Sequence, residues 1–252
     1  MRFASLGSGS AGNGLVVEVA RTRVMLDCGF GLNDAVNRLA RLGLQPDDLT
    51  GIVITHEHAD HIGGAGRFAR KFKLPVWLTA GTFSMAQDMD HVEVHIIDSH
   101  TLFAVQDMAL QPFPVPHDAR EPVQFVFSDG AKRLGVLTDV GCSTAHIETM
   151  LARMDALILE CNHDRTMLEQ GAYPPRLKQR VGGRFGHLEN SQSAELLGKL
   201  KHDKLQCVMA AHISRKNNTP SLARRALAQV LDCADDEVHV ACQFAGFDWI
   251  NL

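Results

Sequence analysis

The chain has 252 residues, enough to bury a sizeable core, and an ordinary globular composition of 45% hydrophobic and 21% charged residues. Its formal net charge of -4 argues against broad electrostatic adhesion to nucleic acid or membrane, while leaving a local site open. No apolar run approaches the roughly 18 residues of a membrane span, and the first residues lack a charged and then apolar leader. The six cysteines are scattered with no C-x-x-C pair and read as reduced thiols. The expectation is one cytoplasmic domain covering residues 1–252.

Short β-rich runs open the chain at Arg2–Leu6, Leu15–Val19 and Arg23–Leu26, the first two joined by the Gly/Ser stretch Gly7–Gly14. A helical period over Leu32–Leu42 precedes the apolar strand Gly51–Thr55, and a second helix is predicted over Ile62–Phe72. The middle reads as strands: Pro75–Leu78, His91–Ile97, Met108–Val115, Val123–Phe127 and Arg133–Leu137. The last third alternates helix and strand: Ser143–Ala152, Ala156–Leu159, Ser191–Leu200, Gln206–Ala210, Pro220–Leu231 and Glu237–Ala241. Meanders mixed with helical crossovers predict an α/β chain folded as a four-layer αββα sandwich rather than a purely parallel sheet.

The sharpest chemical signal is His56-x-His58-x-Asp60-His61, directly after the apolar strand. A lone histidine there would read as a satisfied core residue. Four donor side chains within six residues at a strand end are hard to account for structurally. Imidazole with carboxylate suits zinc, with manganese or iron as alternatives.

The hexapeptide resembles the signature of the metallo-β-lactamase superfamily, and further residues match that family's order. Asp27 closes an early strand, His117 follows Pro112–Pro116, Asp139 closes Leu134–Thr138, and His212 closes Cys207–Ala211. The resemblance implies two divalent ions. His56, His58 and His117 would hold one; Asp60, His61 and His212 would hold the other; Asp139 would bridge them, and Asp27 would orient the ligand loop. It implies hydrolysis by a hydroxide shared between the ions, with Asp60 counted among the catalytic residues.

Glu160, at a strand end, and Gly186-His187 before a helix resemble features of RNase Z, a phosphodiesterase of the superfamily. In that likeness His187 is the general acid for the leaving oxygen and Glu160 holds its imidazole. Arg176-Leu177-Lys178-Gln179-Arg180, with Arg184 beyond, reads either as a solvated helix face or as phosphate contacts. His163, Arg180, Arg215 and Asn218 are the candidate phosphate ligands. The Gly/Ser loop reads as a hairpin turn or as a cradle of N–H groups for phosphate.

The opening Ser5-Leu6-Gly7-Ser8-Gly9-Ser10-x-Gly12-Asn13, Asn162-His163-Asp164, Gly186-His187-Leu188-x-Asn190 and Asn217-Asn218 together resemble the WalJ/YycJ-like branch over nearly the full length. That resemblance implies a 5′-to-3′ exonuclease acting on DNA. Two other readings stand beside it: a hydrolase of small or cyclic phosphodiesters using the same residues, and a non-catalytic binding module on the same fold. The latter is disfavoured because every ligand position is filled.

Overall fold

A computed structural model describes residues 1–252. The amino-terminal half runs β1 (Arg2–Gly7), β2 (Gly14–Val19), β3 (Thr22–Leu26), α1 (Leu32–Arg41), β4 (Gly51–Val53), α2 (Ala59–Ile62), α3 (Ala65–Phe72), β5 (Val76–Thr79), α4 (Ala80–Met85) and β6 (Val94–Ile97). Next come β7 (Phe103–Val105), β8 (Met108–Pro114), β9 (Val123–Ser128), β10 (Arg133–Leu137), α5 (Ala145–Met150), β11 (Ala156–Glu160), α6 (Arg165–Gln170), α7 (Pro175–Val181) and α8 (Asn190–Leu200). The chain closes with β12 (Cys207–Ala211), α9 (Pro220–Leu231), β13 (His239–Val240) and β14 (Phe247–Asn251).

These strands form two seven-stranded sheets, ordered β14-β1-β2-β3-β4-β5-β6 and β13-β12-β11-β10-β9-β8-β7. Each starts as an antiparallel meander and continues as parallel strands reached by crossovers, β4 to β6 in the first and β11 to β13 in the second. Helical crossovers are the connection that parallel strands require. Phe3, Val17, Val53, Phe125, Phe127, Ile158 and Met209 fill the space between the sheets. Leu39 of α1 and Phe68 of α3 pack on the outer face of the first sheet, and Ile147, Leu196 and Leu227 of α5, α8 and α9 cover the second. The result is the αββα layering that the sequence pattern predicts.

The differences from expectation are local. The predicted helix Ile62–Phe72 begins earlier, as the single turn α2, then breaks at Gly63-Gly64 before α3. A side chain at Gly64 would put its Cβ 1.8 Å from the Phe30 carbonyl oxygen, so only glycine lets these segments approach. The predicted strand Glu237–Ala241 shrinks to the two residues of β13, its first residue being the last of a 3₁₀ turn, Asp235–Glu237. Helices α4, α6 and α7 and strands β7 and β14 have no counterpart in the sequence reading. Residues 175–181 of α7 bury no side chain, so no apolar period marks them.

Parallel strands carry their chain direction together, and this positions the site. Strands β3 and β4 of one sheet, and β8, β10, β11 and β12 of the other, all deliver their carboxyl ends to one edge of the sandwich, where the candidate donors follow.

Candidate metal centre

Three of these strand ends are backbone singularities. Asp27 and His212 come directly after β3 and β12, Asp139 comes two residues after the end of β10, and each adopts a left-handed conformation, with φ of 61°, 52° and 52° for Asp27, Asp139 and His212. Non-glycine residues there carry strain that surrounding structure must hold in place. The turn tips each side chain off the sheet plane toward a common centre.

Around that centre the donors gather in overlapping groups: His56, His58 and His117; His56, His61 and Asp139; and Asp60, His61 and His212, all donor atoms within 4.8 Å inside each group. The rings of His56, His58 and His117 form a triangle with centroids 4.6–5.0 Å apart. Asp139 reaches both sides, with Oδ2 3.0 Å from His61 Nε2 and Oδ1 3.6 Å from His212 Nε2 and 3.9 Å from His117 Nε2.

Outer hydrogen bonds set which nitrogen faces inward. His61 Nδ1 donates to Asp27 Oδ2 (2.8 Å), His117 Nδ1 to the Gly186 carbonyl (3.1 Å) and His212 Nδ1 to Glu160 Oε1 (3.2 Å). Thr55 Oγ1, which donates to Asp27, accepts from His56 Nδ1 at 3.0 Å. These four rings therefore turn Nε2 to the centre. His58 is reversed: its Nε2 donates to the Asp118 carbonyl at 3.3 Å, and its Nδ1 lies 3.2 Å from His117 Nε2. Partners of this kind fix the tautomer of a ligating imidazole.

The donor set fits divalent ions. His56 Nε2 and His212 Nε2 are buried without a hydrogen-bond partner, and Asp139 Oδ2 makes no hydrogen bond although His61 Nε2 is close. Buried polar atoms left this way are costly unless something satisfies them. Burial, the largest influence on His212, disfavours its charge, yet Asp139, Asp60 and Glu160 hold its pKa up to about 10. The field that draws a proton to this nitrogen equally draws a metal cation. His56 goes the other way, pushed well below the ordinary histidine value by burial and then by His61.

Glu160, the last residue of β11, is fully buried and spends both oxygens. Oε1 accepts from His187 Nδ1 (2.8 Å) as well as from His212, while Oε2 accepts from the backbone N–H of Val140 (3.0 Å) and of Leu188 (3.1 Å). Burial alone would raise its pKa; the facing charge of His187, with hydrogen bonds from His187 and His212, brings it down to about 2. In return, and against burial, Glu160 raises the pKa of His187. His187 thus sits beside the donor cluster with Nδ1 fixed and Nε2 left for the cleft.

That cleft has a volume of about 370 Å³, and His58, Asp60, Asp139, His187 and His212 form its floor. Tyr173, Leu177 and Arg180, on and just before α7, form a wall, and Ser10 closes another side. Of the phosphate candidates, only Arg180 lines it. Its Nε donates to Asp118 Oδ2 at 2.6 Å, while Lys178, from the same cationic stretch, turns to the Glu169 carbonyl.

The other three phosphate candidates lie away from this cleft. Asn218 is 5% exposed, donates to the Cys161 carbonyl and Asn190 Oδ1, and accepts from Asn190 and the Thr219 N–H, so its amide is fully used inside the fold. His163 is buried and lines a separate cavity behind α7, because its backbone is tied to Glu189. Arg215 lies over Phe244 in a third cavity. The Gly/Ser loop also turns its donors inward: Gly9 N–H to Asn13 Oδ1, Ala11 N–H to Gln243 Oε1 and Gly12 N–H to the Gly9 carbonyl.

Sequence reasoning missed Asp118, Thr55 and Asn13 as members of the site. Asn13 donates to the Asp60 carbonyl and to Asp60 Oδ2, at 3.2 and 3.3 Å, and so braces the ligand turn. Asp118 and Thr55 each adjoin a predicted ligand, the one signal that could have found them.

Two mixed sheets that present His/Asp donors at their strand ends define a metal-dependent hydrolase of the metallo-β-lactamase fold. The β-lactamase superfamily domain matches residues 22–213. Exodeoxyribonuclease YycJ of Bacillus anthracis is 33% identical over 241 residues, covering 92% of this chain and 89% of that protein. Exodeoxyribonuclease WalJ of Streptococcus pneumoniae is 30% identical over 240 residues, covering 93% and 89%. The metallo-β-lactamase fold protein YhfI of Bacillus subtilis superposes with a TM-score of 0.77 at 14% identity, over 99% of this chain and 98% of the other. The chain belongs to the metallo-β-lactamase superfamily, in the branch that contains the WalJ and YycJ proteins. No helix is long and apolar enough to cross a membrane.

Proposed function

We propose that this protein is a phosphodiesterase that digests DNA from its 5′ end. The observation that carries the reading is the Glu160–His187 pair beside the His/Asp cluster, in a chain related over 92% of its length to a protein named as an exodeoxyribonuclease. An alkoxide is a poor leaving group, so breaking a DNA phosphodiester calls for a proton at the departing oxygen. His187 Nε2 donates it, while Glu160 holds the ring and favours the protonated form; such positioned acids give typically 10²–10⁴-fold.

His56 and His117 through Nε2, and His58 through Nδ1, are the donors for one ion; Asp60, His61 and His212 are the donors for another; Asp139 reaches both. Bound there, divalent ions supply positive charge that polarises a phosphoryl oxygen and lowers the pKa of water. Zinc suits this donor set, with manganese or iron as alternatives. Asp27, Thr55 and the Gly186 carbonyl keep the imidazoles in register. Arg180 offers a guanidinium to a phosphate oxygen at the cleft wall.

The test is digestion of 5′-phosphorylated single-stranded and duplex DNA with added manganese, using Asp139→Ala as control. Mononucleotides released progressively from the 5′ end, and absent with the variant, support the reading. Intact DNA beside brisk hydrolysis of an aryl phosphodiester would replace it with hydrolysis of a small phosphodiester, a reading favoured by the modest cleft volume.

A further inference from the structure

A second cavity, of about 290 Å³, lies across the Gly/Ser loop from the metal cleft. The loop is the partition: Ser10 lines the cleft and Ser8 lines the cavity. Ser8 Oγ also accepts from the backbone N–H of His212 at 2.9 Å, so the cavity begins one residue from a candidate ligand. Its other walls include Ile213, Arg215, Pro220, Val240 and Phe244.

Phe244 is the most exposed large apolar side chain of the protein, at 62%. Its backbone, by contrast, is tightly held. Arg38 Nη1 donates to the Phe244 carbonyl at 2.9 Å, and the neighbouring Gln243 is 7% exposed and clamps the loop by accepting from Ala11 N–H and donating to the Gly12 carbonyl. The Arg215 guanidinium sits 4.9 Å from the ring centroid. An exposed aromatic ring on a hydrogen-bonded backbone, with a guanidinium near it, is an arrangement on which nucleobases stack.

We propose that this cavity receives the terminal nucleobase of the strand being cut, with Phe244 as the stacking face and Arg215 as its cationic partner. The proposal rests on the nuclease reading above and extends it to how the strand end is held. A base seated here and a phosphate in the cleft would lie on the two sides of one loop, Ser8 lining the one and Ser10 the other. Because every base has a π-face, the site accepts any base rather than selecting one.

The experiment compares wild type, Phe244→Ala and Phe244→Trp on a 5′-phosphorylated DNA strand and on bis(p-nitrophenyl) phosphate, which carries no base. The expected result is that Phe244→Ala lowers the ratio of kcat/KM for DNA to that for the aryl diester about tenfold, mostly through KM, and that Phe244→Trp restores it. An unchanged ratio in Phe244→Ala, with DNA still digested, overturns the cavity and leaves the nuclease reading intact. If wild type does not digest DNA, the nuclease reading fails, and calorimetric binding of dAMP decides the cavity. Binding that Phe244→Ala weakens about tenfold keeps it; equal binding by both proteins overturns it.

Discussion

Glu160→Gln exchanges one carboxylate oxygen for an amide nitrogen inside a fully buried side chain. All four of its hydrogen bonds are accepted ones: two from His187 and His212, two from the Val140 and Leu188 N–H groups. Glutamine keeps one accepting end. If that end faces the imidazoles, the new NH₂ confronts two backbone N–H donors that nothing else satisfies. Each stranded donor costs about 1–3 kcal/mol, so stability should fall by about 2–6 kcal/mol. If the amide flips, the NH₂ faces both Nδ1 atoms, and the rings must change tautomer to accept, which turns Nε2–H toward the metal centre. In either orientation His212 loses its orienting charge, and affinity at its site should weaken about 10–100-fold. Loss of the positioned acid should lower DNA cleavage by about 10²-fold or more. Urea denaturation, metal content after dialysis and DNA digestion read the three consequences separately. A variant that keeps both ions at wild-type affinity while losing DNA cleavage would refute the shared role and leave Glu160 acting through His187 alone.

Asp139→Ala should leave the chain folded, but with less than one ion per chain after dialysis and no activity on any phosphodiester, as read by elemental analysis beside the assays. His187→Ala should cripple an alkyl phosphodiester by about 10²–10⁴-fold and largely spare an activated aryl one, whose leaving group needs no proton; equal loss on both substrates removes His187 as the acid. Asn218→Ala should cost about 2–6 kcal/mol in urea denaturation, because it strands the Asn190 amide and the Cys161 carbonyl, with no selective rise in KM for phosphate esters. Chelation should lower the melting temperature, since ions that bind only the folded chain stabilise it by mass action, and restoring zinc should reverse the shift.

Much of this could be read in advance where one polar residue interrupts an apolar run. Asp27, Asp139 and His212 lie at or just past the ends of buried strands, and it was the resemblance to the metallo-β-lactamase order that singled them out among such residues. The paired roles of Glu160 were half visible: the resemblance to RNase Z implied a partner for His187, but the second partner, His212, depends on β11 and β12 lying side by side. Asn218 misled because an amide near a ligand looks like a substrate contact, whereas its burial is settled by Asn190 on a distant helix. Asp118 and Asn13 lie in loops, where hydrophobic periodicity carries no signal. Strand β14 escaped because Phe247–Asn251 is a short edge segment whose partner is at the other end of the chain.

The centre takes His56, His58, Asp60 and His61 from segments following one sheet and His117, Asp139 and His212 from segments following the other, so it straddles the seam between them. Synthesis of the chain therefore supplies the donors in instalments, and the last imidazole emerges only after both sheets have nearly all their strands. A half-made chain carries the donors of one ion, His56, His58 and His117, while Asp139 and His212 arrive only with the later strands of the second sheet.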